Sequence, residues 1–241
     1  MARILISQNA TKSVYRNGDI AVKVFCKGFP KEEVLNEALI SARIEAIGGI
    51  NIPSTLAVAV DADGCWSITK DFIEGKTLEQ LMMENPERQD DYLADMVDLQ
   101  LTIHSKVCPL LHQLKGKLSR QISETKEINP ASHYDLITRL NGMPRQSKLC
   151  HGDFQPNNIV VKPDGTMFVL DWVHATQGDG SADAARTWML LALDSQETAD
   201  RYLTLFCEKS GTDKRYVEQW LPIVAAAQLT KHRPEEEALL R

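Results

Sequence analysis

The distribution of apolar positions changes character near residue 75. Before it, apolar residues come in short runs broken by turn residues. After it they recur mostly at the three- and four-residue spacing of helices. Residues 3–7, 14–16 and 21–25 read as strands, with Asn17-Gly18 as a hairpin-turn signal between the last two. Val34, Leu35, Ala38, Leu39 and Ala42 predict a helix over 31–47, stopped by Gly48-Gly49. Two further strands, 55–60 and 65–72, flank the turn Asp61-Ala62-Asp63-Gly64. Beyond Thr77 the pattern predicts helices over 78–84, 90–105, 110–124, 133–140, from Asp183 onward, 197–210 and 216–229, with Pro234-Glu235-Glu236-Glu237 as a solvated face or a helix start. No repeat or low-complexity linker interrupts it.

One strand pair stands apart inside the helical part. Residues 159–161 and 167–170 are apolar runs joined by Lys162-Pro163-Asp164-Gly165, where proline presets φ and glycine suits the last turn position. So tight a turn makes the pair antiparallel. The loop before the first strand, His151-Gly152-Asp153-Phe154-Gln155-Pro156-Asn157-Asn158, then lies beside the end of the second, Leu170-Asp171. Asp153, Asn158 and Asp171 are thereby expected at one mouth. Two carboxylates and an amide oxygen suit phosphoryl transfer from a nucleotide: one carboxylate orients the attacking hydroxyl, and the other donors hold magnesium on the phosphates. The order Asp-x-x-x-x-Asn, hairpin, Asp is that of kinase-like enzymes. A hairpin with ordinary solvated polar residues accounts for any one of the three, but poorly for the whole string.

Lys23 sits at the centre of the alternating run Ala21-Val22-Lys23-Val24-Phe25. It is either a solvent-facing strand residue or, with a glutamate on the following helix, a lysine that contacts nucleotide phosphates. Glu37 is the expected partner and Glu33 the runner-up.

Composition narrows the classes without naming one. The 241 residues carry 43% hydrophobic and 25% charged side chains and a formal net charge of −6, an ordinary globular mixture. No basic block points to nucleic acid, and no apolar run is long enough for a bilayer span. The N-terminal residues lack a signal peptide's pattern. Five scattered cysteines, with no Cys-x-x-Cys, read as reduced and mostly buried thiols, which with the other features implies the cytoplasm. Gly75-Lys76-Thr77 imitates the end of a P-loop, but residue 70 is lysine where that motif needs glycine, so Thr77 reads as a helix N-cap.

The loop His151-Gly152-Asp153 with Asn158 and Asp171 resembles the aminoglycoside phosphotransferase and choline kinase superfamily, and the resemblance follows the chain nearly throughout. It implies an α+β, protein-kinase-like bilobal fold, with a small antiparallel-sheet N-lobe and linker over 1–75 and a mainly helical catalytic and substrate-binding lobe over 76–241. It implies ATP (or GTP) with Mg2+ and transfer of the γ-phosphoryl group to a hydroxyl of a small molecule. Asp153 would be the catalytic base, Asn158 and Asp171 the metal ligands, and Lys23, fixed by Glu37, the phosphate contact. His151 would orient the loop. Residues 9–13 resemble the Ser/Thr-containing phosphate loop of these kinases, with Ser13 as a candidate contact, although an ordinary hairpin loop reads equally well. Asp71, Phe72 and Ile73 resemble the linker whose backbone meets adenine. Asp183 corresponds to an aspartate that anchors the catalytic loop, an N-cap being the local alternative, and His104 reads as a residue packing near that loop.

Trp172-Val173 follows Asp171 where protein kinases have Phe-Gly, and no Ala-Pro-Glu end follows, which argues against a protein substrate. A nucleotide-binding module without activity is the other alternative, disfavoured because all the expected groups are present. The acceptor itself, whether aminoglycoside, choline-like alcohol or sugar, is not legible. Trp188, Trp220, Tyr202 and Tyr216 could form an aromatic cage for a quaternary amine or equally serve as core.

Overall fold

The computed structural model describes residues 3–230. The acidic run 234–237 lies outside them. Contacts divide the chain into two compact units. One comprises the residues up to Leu81 together with Asn157–Val173, and the other comprises Met82–Pro156 with the residues from His174 on.

The first unit is built on a five-stranded antiparallel sheet. Strands β1 (Ile4–Gln8), β2 (Lys12–Asn17), β3 (Ile20–Phe25), β4 (Thr55–Val60) and β5 (Trp66–Asp71) are ordered β1-β2-β3-β5-β4. Asn17 pairs with Ile20, so the β2–β3 turn is centred on Gly18-Asp19, one residue later than Asn17-Gly18, and Gly18 supplies the positive φ of 61°. Helix α1 (Lys31–Glu45) packs on the sheet through Val34, Ala38 and Ile44. Leu35 and Leu39 share the helical spacing but are 42% and 47% exposed, and Glu37 is buried instead. The inward face of α1 is therefore partly polar, which a hydrophobic pattern alone hides.

Strand β6 (Lys76–Thr77) leads into α2 (Leu78–Glu84). The Thr77 hydroxyl accepts the Gln80 N–H and the Gln80 side chain accepts the Thr77 N–H, a reciprocal cap. That settles the P-loop imitation: Lys76 pairs in a ladder with β8 (Ile159–Val161), which continues antiparallel to β9 (Met167–Val169). The hairpin is tied to the loop after α1, since the Val169 N–H donates to the Asn51 carbonyl and the Asn51 side chain to the Met167 carbonyl.

The second unit is helical. Its elements are α3 (Gln89–His104), α4 (Leu114–Glu124), α5 (Pro130–Gly142), the short ladder of β7 (Lys148–Cys150) with β10 (Thr176–Gly178), and then α6 (Gly180–Ala192), α7 (Gln196–Ser210), α8 (Lys214–Glu218) and α9 (Leu221–Leu229). The helix expected over 216–229 is two helices, broken where Trp220 precedes Leu221-Pro222 and proline enters the first turn of α9. Trp220 and Tyr202 are fully buried in this core, so they are not available for a cage; Trp188 bonds Asp200, and Tyr216 bonds Asp179. The cysteines are all free, and only Cys108 and Cys150 are buried; Cys26 is exposed. Among the described residues no helix is long and apolar enough to cross a membrane.

Candidate functional site

In the first unit the chemistry gathers on Lys23. Its position in β3, opposite Val14 and Ile68, points its side chain to the sheet face where α1 brings Glu37. Lys23 Nζ lies 2.5 Å from Glu37 Oε1 and 3.2 Å from Asp171 Oδ1. Burial works to lower the lysine pKa, but the Asp171 and Glu37 carboxylates outweigh it and hold the ammonium above its ordinary value. Lys12 Nζ stands 3.7 Å from Asp171 Oδ2. Glu33 is exposed and takes no part.

Ser13 is not where the sequence suggested. The loop is shorter, residues 9–11, closed by Asn9 Oδ1 accepting from the Thr11 and Lys12 N–H groups. Ser13 is inside β2 opposite Val24, so the pleat turns it to the face away from Lys23, and its neighbour Lys12 takes the inward place. Sequence reasoning missed Lys12, although counting parity back from Lys23 through the two-residue turn would have found it.

The linker is held by Arg16. Its guanidinium lies 4.1 Å from the Phe72 ring centroid and 2.6 Å from Glu74 Oε2. The Asp71 N–H donates to the Ser54 carbonyl and the Phe72 N–H to the Asp19 carbonyl. Of the three residues expected to meet a base, Ile73 alone keeps an N–H that no described residue accepts.

The turn before β8 delivers Asn158, whose carbonyl accepts the Leu170 N–H at 2.8 Å, beside Asp171. Asp171 has φ 53° and is the one non-glycine residue among those described in the left-handed region. No cluster of three or more His, Cys, Asp or Glu side chains among the described residues could hold a metal ion by itself. The oxygen donors suited to a hard divalent cation are Asn158 and Asp171. They are too few for a closed protein cage but fit an ion whose other ligands are phosphate oxygens and water.

In the second unit β7 runs into His151. Asp183 accepts the Gly152 N–H at 2.7 Å with Oδ1, and the His151 N–H at 3.1 Å and His104 Nε2 at 2.9 Å with Oδ2. Burial would raise this carboxyl, but the His104 hydrogen bond and charge, His151 and the Gly152 N–H hold it down at about 2. The helix cap is Asp179, which accepts the Ser181 N–H, so Asp183 is free to anchor the loop. Gly152 has φ 79°, and a Cβ there would stand 2.6 Å from the His174 carbonyl oxygen. The Asp153 N–H donates to His151 Nδ1 at 3.2 Å, which sets the direction of the loop. The Asp153 carboxylate accepts from Gln155 at 3.3 Å and lies 3.5 Å from Arg186. Arg186 also donates to the Gly152 carbonyl and, at 2.6 Å, to Gln228. Arg186 was missed, although it follows Asp183 by three residues, the spacing that puts two side chains on one helix face. Lys117, also missed, carries no signal in sequence beyond its place between Leu114 and Leu118.

The fold has close counterparts of known structure. A thermostable mutant of aminoglycoside phosphotransferase APH(4)-Ia matches with TM-score 0.71 and 13% identity over 100% of this chain and 91% of that one. Its ternary complex with AMP-PNP and hygromycin B matches with TM-score 0.72 and 13% identity over 99% and 90%. The GDP complex of wild-type aminoglycoside 2'-phosphotransferase-IIIa matches with TM-score 0.63 and 15% identity over 100% and 90%. These likenesses establish an α+β, kinase-like fold. No curated protein matches the chain. The sequence model of the phosphotransferase enzyme family (APH) matches residues 5–232, almost the whole chain, and the protein therefore belongs to that family and is a small-molecule phosphotransferase.

Proposed function

We propose that the protein transfers the γ-phosphoryl group of ATP (or GTP) to a hydroxyl group of a small molecule. The observation that carries this reading is Lys23 Nζ, held between the carboxylates of Glu37 and Asp171. An ammonium kept charged in this setting is suited to nucleotide phosphates. Residues 1–75 serve the nucleotide: Lys23 contacts its phosphates, Glu37 positions Lys23, and the Ile73 N–H meets the base, with Asp71 and Phe72 shaping that stretch. Asp171 and Asn158 hold Mg2+, which when bound screens the phosphate charge. Residues 76–241 supply catalysis and the acceptor site. Asp153 receives the hydroxyl proton, and its carboxylate is oriented by Gln155 and Arg186. The cytoplasm, which supplies ATP and keeps thiols reduced, is the setting this chemistry suits.

The test is ATP consumption by the purified protein with magnesium, against aminoglycosides, choline, amino alcohols and sugars, with Asp153→Asn as control. Turnover stimulated by one class and reduced about 10³-fold or more in the control is the expected result. Unchanged turnover in the control overturns the role of Asp153, and absence of nucleotide binding overturns the whole reading.

A further inference from the structure

Helices α4, α6 and α9 of the second unit border a small pocket of about 40 Å³ that opens to solvent. Leu118 and Val224 form its apolar wall. Lys117, Arg186 and Gln228 supply its polar groups, and the Gly152 backbone reaches it from the Asp153 loop. The pocket therefore adjoins Asp153: Arg186, which lines it, lies 3.5 Å from the Asp153 carboxylate and donates to the Gly152 carbonyl.

The charged side chains that line this pocket are basic, and Arg186 among them is paired with the Asp153 carboxylate. The ionisable lining residues are Lys117, Arg186 and His174, and none of the lining residues is acidic. Lys117 Nζ donates to the His174 carbonyl at 2.9 Å, and no carboxylate among the described residues stands within ion-pair distance of it. Burial, and then the positive charge of Arg186, lower its pKa to about 8, while the Asp153 and Asp183 carboxylates pull the other way. A half-buried ammonium that is hydrogen-bonded to a carbonyl and makes no ion pair can still take a counter-anion from outside. A cationic group would instead bring further positive charge against Lys117.

We propose that this pocket receives one end of the acceptor, an anionic group, a carboxylate or a phosphate, carried on the same small molecule as the reacting hydroxyl. Lys117 is the counter-charge for that group. The inference rests on the kinase reading for its chemistry: a bond forms between the acceptor oxygen and the γ-phosphorus, the bond from that phosphorus to the β-γ bridging oxygen breaks, the nucleoside diphosphate leaves, and the hydroxyl proton passes to Asp153. Gln121, which also lines the pocket, offers an amide group beside Lys117.

The experiment is titration calorimetry with matched probes: glycerate against glycerol, ribose 5-phosphate against ribose, and kanamycin as the polycation, each with and without Mg2+ and AMP-PNP. At least one anionic probe is expected to bind tenfold or more tightly than its neutral counterpart. Lys117→Met is expected to remove that preference without changing the neutral probe, and Lys117→Arg to restore it. Should Lys117→Met fail to fold, Gln228→Glu, which puts a carboxylate at the pocket, is expected to remove the preference as well. A carboxylate source and a phosphate source are separated by which pair responds. Kanamycin as the tightest ligand, the absence of any anion preference, or a preference untouched by both variants overturns the proposal. Anion binding that persists where AMP-PNP does not bind at all would leave the pocket standing and sink the kinase reading instead.

Discussion

The Asp183 carboxylate accepts the Gly152 N–H at 2.7 Å from a wholly buried position. With its bonds to His151 and His104, this one side chain fixes the backbone that carries Asp153. Replacing it by alanine leaves two buried amides and an imidazole without their acceptor. We expect Asp183→Ala to lower stability by about 3–5 kcal/mol, as for other broken buried charge networks. Urea denaturation of the two proteins measures the difference.

The same carboxylate makes an acid prediction. Its folded pKa of about 2 lies below the ordinary value of 3.8, so the unfolded chain takes up this proton first as pH falls. The stabilisation is complete above about pH 4 and is lost as pH drops through about 2, amounting to about 2 kcal/mol. Melting temperatures between pH 5 and 2 should fall more steeply in the native protein than in an Asp183→Asn variant. Equal slopes would show that the carboxylate is not perturbed.

Glu37→Gln keeps the shape of the side chain and removes the charge facing Lys23. A hydrogen bond between charged partners contributes about 1.5–3 kcal/mol, so a ten- to hundredfold loss in kcat/KM for ATP is expected. Steady-state kinetics with varied ATP test it. An unchanged value would mean that Lys23 is held well enough by Asp171 alone.

Gly75 precedes β6 where a Cβ would stand 2.4 Å from the Val161 carbonyl oxygen, a backbone atom that cannot turn aside. Gly75→Ala is expected to cost about 1–3 kcal/mol as an overpacking substitution. Gly116→Ala, with nothing within 4 Å of the added methyl and a site inside α4, should instead be neutral or stabilising. Thermal melts of both variants give the comparison.

Sequence and structure agree best where one residue type at one spacing has a single use. The hairpin of β8 and β9 could be read because strand, turn and strand are contiguous, and the Lys23–Glu37 contact because the helix partner follows within fourteen residues. Agreement fails where the answer depends on which way a side chain faces. Leu35 and Leu39 match the helical period yet face outward, because Glu37 and Ser41 occupy the buried stripe of α1. Ser13 has suitable chemistry on the wrong side of the pleat. Arg186 and Lys117 join the Asp153 loop across 33 and 36 residues of chain, and nothing local marks such a meeting.

The left-handed backbone at Asp171 limits how this position can vary. At φ 53°, β-branched and bulky residues are strained, whereas glycine, asparagine and aspartate are accommodated. Of those three, only aspartate carries charge. The replacements that the chain tolerates most easily are therefore the ones that silence the position, so a relative that has drifted here would keep its shape while losing the carboxylate that faces Lys12 and Lys23.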